Sequence, residues 1–102
     1  MIIVVVQIPV QRSREQAIAM QKQSAPTFRA LADKGLLRKD YINGEAGGGG
    51  VYYWTSREAA EAWYTPELLR KMKEKFGVEP VVSFYETYVC VDNAKGEIIV
   101  HG

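Results

Sequence analysis

The chain has one cysteine and one histidine, and these two shortages remove most familiar catalytic chemistries. Cys90 has no second thiol to pair with, so no intrachain disulfide forms, which fits a reducing compartment. His101 lies at the far end of the sequence, whereas a Ser-His-Asp or Cys-His system needs its base inside the fold. One thiol and one imidazole cannot build a zinc cage, so no metal is expected. Charge of one sign is missing too: 13 basic residues face 12 acidic ones, leaving no electrostatic footprint for nucleic acid. Long apolar runs are absent. Met1 to Val6 is apolar but short, it lacks a basic flank and a small-residue cleavage site, and Gln7 and Pro9 follow. The expectation is a protein of the cytoplasm that neither crosses nor joins a membrane. Gly47 to Gly50 is rich in glycine, but no Gly-Lys-Ser/Thr follows and the spacing is not that of a dinucleotide-binding turn, so no nucleotide cofactor is indicated.

What is present is a well-punctuated α+β pattern over one domain, residues 1–102. Ile2 to Val10 reads as a strand with apolar residues at both parities. Ser13 and Gln16 form a capping box for a helix running to about Lys34, in which Pro26 should kink the rod or split it near Ser24. Gly35 stops it. Leu36 to Asn43 is a second strand, Gly44 to Gly50 a turn, and Val51 to Thr55 a third strand dense in aromatics. Ser56 caps a second helix, which breaks at Tyr64–Thr65 and resumes with Pro66 in its first turn as far as Phe76. Val81 to Val91 reads as one long fourth strand, and Glu97 to Val100 as a short final one. The order β-α-β-β-α-β is the ferredoxin-like arrangement, with a short C-terminal strand added. Two helices cover one face of such a sheet. The other face carries apolar residues with nothing to cover them, which predicts a homodimer.

The aromatics suggest a pocket between sheet and helices. Tyr52 and Trp54 share one face of the third strand, and Lys39 and Tyr41 share one face of the second. With Phe28, Trp63 and Phe76 from the helices, these residues suit a small, flat aromatic ligand. Lys39, Tyr41 and Trp54 are the candidates for chemistry, and Lys39 could hold a phenolate. Arg29, Glu45 and Glu86 are further charged residues expected near the pocket. The plainer alternative is that the rings are core and dimer interface, and that the protein binds a ligand or stabilises a partner without catalysis. Cys90 reads as a small hydrophobe rather than a reactive thiol.

The run from Gly47 to Tyr64 (Gly-Gly-Gly-Gly-Val-Tyr-Tyr-Trp-Thr-Ser-Arg-Glu-Ala-Ala-Glu-Ala-Trp-Tyr), with Gly35 to Tyr41 and Phe76 to Pro80, resembles the small mono-oxygenase-like branch of the antibiotic-biosynthesis-monooxygenase-like dimeric α+β barrel superfamily. The resemblance spans about residues 28 to 93. It implies a ferredoxin-like fold, a homodimeric barrel and a pocket between sheet and helices. It also implies an activity: oxidation of electron-rich phenolic or quinol substrates by O₂ without a cofactor. Haem-degrading relatives place an amide where Gln7 stands and a tryptophan where Trp63 stands. Their axial histidine falls at Lys73, which cannot serve as that ligand. The polyphenol-oxidising relatives use a tryptophan, matched by Trp54, and an asparagine whose position falls at Gly50.

Overall fold

The computed structural model describes residues 1–101. Its strands and helices are β1 (Ile2–Ile8), α1 (Arg14–Arg29), β2 (Leu36–Gly44), β3 (Gly47–Trp54), α2 (Arg57–Trp63), α3 (Pro66–Phe76), β4 (Val81–Glu86), β5 (Val89–Asp92) and β6 (Glu97–Val100). β1 to β4 form one antiparallel sheet in the order β2-β3-β1-β4. This is an α+β domain with a four-stranded sheet and three α-helices, compatible with a ferredoxin-like fold. None of the described helices is long and apolar enough to cross a membrane.

Local chemistry explains most of the boundaries. The Ser13 hydroxyl accepts from the Gln16 amide, and the Gln16 side chain accepts from the Ser13 amide, which completes the capping box. Ser56 and Thr65 cap α2 and α3 in the same one-sided way, accepting from Ala59 and Leu68. Gly35 and Gly77 end their helices in the left-handed region.

Three expectations need correction. α1 is not split near Ser24: it runs unbroken through Pro26 to Arg29, then tightens into a 3₁₀ segment over Ala30–Lys34. Pro26 lies on the exposed side, where water can satisfy the carbonyl its ring leaves without a donor. The four glycines are not a turn. The turn is Glu45–Ala46 alone, and Gly47 to Gly50 pair with β2, and Gly48 to Gly50 also with β1, as the first half of β3. The long fourth strand is two strands. β4 pairs with β1 until Glu86 reaches Ile2, where β1 runs out, and β5 then pairs with β6 in a separate hairpin.

The sheet has one covered face and one bare face. Ile2, Val4, Val6 and Ile8 point at the helices and are buried with Tyr52, Trp54 and Ala60. Ile3, Val5, Val51, Tyr53 and Tyr85 occupy the opposite face by register. Gln7 lies on that face too and is exposed, so the amide is turned away from the helix side. The β5–β6 hairpin exposes Val89, Val91, Ile98 and Val100.

Candidate functional site

A cavity of about 290 Å³ lies between the sheet and α1, α2 and α3. That is near the lower end for small-molecule sites. Its wall includes buried Val6 and Tyr52 and exposed Lys71 and Lys75, so it runs from the core to the surface. Of the residues the sequence singled out, Phe28, Lys39, Tyr41, Tyr52, Trp63 and Phe76 all line it. Trp54 does not. It is 1% exposed and its indole N–H donates to the Tyr64 hydroxyl at 3.2 Å, so it is core behind that ring rather than cavity wall. Trp54 has the right parity, but its register opposite Leu36 and Ile2 puts it at the end of the sheet away from the opening.

The rings on the wall are locked edge to face. Phe28 meets Tyr41, Tyr52 and Trp63 at 6.1, 5.7 and 6.0 Å between centroids, and Tyr64 meets Tyr52 at 5.5 Å. Such packing holds the wall in one arrangement before any ligand enters.

Lys39 is the chemical centre of this wall. Its ammonium group lies 3.3 Å from the Phe28 ring centroid, 3.9 Å from that of Tyr41 and 4.6 Å from that of Tyr52. A β-bulge puts it there. The register shifts between Leu36 and Arg38, so Leu36 and Lys39 both face the helices although they stand at positions of opposite parity. Gly50 supplies the room, because a Cβ there would sit 2.9 Å from Lys39 Cε. Position 50 therefore carries no side chain, and the space belongs to Lys39.

Among the described residues, no carboxylate lines the cavity. Burial, and secondarily the positive charge of Lys75, pushes the Lys39 amine down to about 7. The ring faces act in the opposite sense and favour the ammonium form. Burial pushes the Tyr52 and Tyr64 phenols well above their ordinary range, so both remain neutral donors at any physiological pH. The Tyr41 hydroxyl shares a 2.5 Å hydrogen bond with Ser24. Arg12 and Lys75 flank the Phe76 ring at 5.3 and 5.5 Å. Lys71 is paired with Glu67 at 3.4 Å.

The other charged candidates do not line this cavity, although Arg29 lines a neighbouring pocket that shares Phe28, Lys39 and Tyr41 with it. Glu45 and Arg29 are exposed, and Glu86 is exposed and accepts from the Tyr88 hydroxyl. Lys73 is engaged by Glu79 at 2.9 Å and is not on the wall. Sequence reasoning missed Arg12, Lys71 and Lys75. The available signal was the four-residue spacing of Lys71 and Lys75 beside Leu68, Met72 and Phe76, which brings both lysines to one flank of α3's apolar stripe. Neither a protein-family model nor a curated protein matches the chain.

Proposed function

We propose that the protein is a homodimer of the α+β barrel type whose cavity binds a small phenol or quinol and oxidises it with O₂, without a cofactor. The observation that carries this reading is a lysine amine enclosed by the rings of Phe28, Tyr41 and Tyr52 in a cavity with no carboxylate among its described lining residues. A neutral Lys39 amine takes the proton of a bound phenol, and the resulting ammonium stays beside the phenolate. A phenolate in a dry site gives up electrons to O₂ far more readily than a phenol does. One oxygen atom enters the ring and the other leaves as water. The substrate supplies both reducing electrons and emerges as a quinone. Oxygen-electrode assays with a panel of phenols and quinols should show stoichiometric uptake. No uptake with any of them would remove the oxygenase reading.

A second reading is favoured by the same wall, whose described residues include neither a histidine nor a carboxylate to complete an acid–base pair with Lys39. On that reading the cavity only holds its ligand. Stabilisation by quinols in thermal melts without O₂ uptake would select it.

The dimer rests on two apolar surfaces that one chain leaves open, the bare sheet face and the β5–β6 hairpin. Stacking two such faces is the usual way for a half-covered sheet to bury its second side. Sedimentation at micromolar concentration should give twice the 11.5 kDa chain mass, and a monomer would exclude the barrel.

A further inference from the structure

We infer that Lys39 is also a covalent site, whose amine condenses with the carbonyl of an aromatic aldehyde or ketone carrying an anionic group. This rests on the cavity being a ligand site but not on any oxygen chemistry. Three features of the geometry converge on it. The amine reaches into the cavity from the floor of the sheet, with the rings of Phe28, Tyr41 and Tyr52 around it. Those rings give an aromatic carbonyl compound flat surfaces to stack against. Among the described residues, no ion pair holds Lys39, Arg12 or Lys75, so the wall offers a nucleophile in its depth and free cations towards its opening. An anionic group on the far side of the ligand satisfies those cations. A lysine desolvated in an apolar pocket beside another cation is the recognised setting for an amine nucleophile, and the lowered protonation of Lys39 supplies the reactive form.

The step balances without an oxidant or reductant. The Lys39 nitrogen bonds to the carbonyl carbon, the carbonyl π electrons move to oxygen, and one N–H proton transfers to that oxygen to give a carbinolamine. The C–O bond then breaks. The oxygen leaves as water with the second N–H proton, and the C=N bond closes. The Tyr41 hydroxyl, hydrogen-bonded with Ser24, relays that second proton: it gives its own proton to the departing oxygen and takes the one the nitrogen loses. The ionisable groups that line the cavity with the amine are Tyr41 on its own strand, Tyr52 on β3, Tyr64 after α2, Lys71 and Lys75 on α3, and Arg12 ahead of α1, while Arg29 of α1 and Arg38 of β2 line a neighbouring pocket that also includes Lys39.

The test is reductive trapping on the full chain with 4-carboxybenzaldehyde and cyanoborohydride at neutral pH, read by peptide mapping. Lys39 should be labelled roughly tenfold faster or more than exposed Lys34, because the rings of Phe28, Tyr41 and Tyr52 hold the aldehyde against an amine whose protonation burial lowers. Arg12→Gln, which removes a cation from the wall without touching the Lys75 charge that bears on the amine, should slow trapping of this probe but not of benzaldehyde. Lys39→Arg should yield no adduct in that peptide, with circular dichroism confirming that it is folded. Labelling of Lys39 no faster than Lys34 overturns the inference. O₂ uptake is scored separately: uptake without selective trapping leaves the oxygenase reading standing alone, and trapping without uptake leaves only the covalent site.

Discussion

Replacing Gly49 with alanine should cost about 3–5 kcal/mol, enough to unfold a large share of the molecules of a small domain. Gly49 has φ +142°, a conformation that L side chains rarely adopt. An added Cβ would lie 1.8 Å from the Val6 carbonyl oxygen and 2.9 Å from its carbonyl carbon. Neither atom can move away cheaply, because Val6 is a fully buried residue of β1, which is hydrogen-bonded to β3 on one side and β4 on the other. The strain and the clash add to one another and fall on the centre of the sheet. Gly44 is the control. It has no atom within 4 Å of its Cβ position, so Gly44→Ala should change stability by less than about 0.5 kcal/mol. Urea unfolding of the two variants checks both values. Equal, small losses would mean that the glycine run is the loose turn its composition suggests, not part of β3.

That contrast shows where the sequence was legible. Signals written in side chains came through: the Ser13–Gln16 box, the Thr65-Pro66 restart and the Gly35 stop all match the structure. Gly47 to Gly50 had no side chains to alternate, so a strand that needs glycine for close approach to β1 looked like a turn. The break at Thr87–Tyr88 was invisible for a different reason. The residues on either side favour a strand equally well. What ends β4 is the start of β1, where the Thr87 amide reaches the Met1 carbonyl at 3.1 Å and no further partner remains.

Parity placed Lys39, Tyr41 and Tyr52 together correctly and also placed Trp54 with them. Which of the rings line the cavity depends on how far along the strand each helix stands off the sheet, and no period records that distance. Arg12 and Lys75 come from opposite ends of the chain, and only the packing of α1 and α3 brings them to one wall.

Lys39→Met separates a lysine kept for chemistry from one kept for structure. The folded pKa of about 7 lies below the ordinary 10.5 of the unfolded chain. Between those values the unfolded chain binds more protons than the folded one, so stability rises with pH across the window. The penalty is absent above about pH 10.5 and fully present below about pH 7. Methionine removes it while keeping a flexible apolar stem against Phe28 and Tyr52. With allowance for partial exposure and for the ring faces that favour the ammonium, the gain should be about 2 kcal/mol at acidic pH, shrinking to nothing in strong alkali. Urea unfolding of both proteins at a series of pH values reads this directly. Parallel curves would mean that Lys39 titrates normally, and both the base role and the amine nucleophile would fall with that result. The same variant should lose about 10²- to 10⁴-fold in the rate of any phenol oxidation the wild type shows, the usual contribution of a positioned base. A lysine serving only as packing would lose stability on replacement and leave turnover largely unchanged. Stability gained while turnover is lost is the pattern of a residue whose burial the fold tolerates for the sake of its amine.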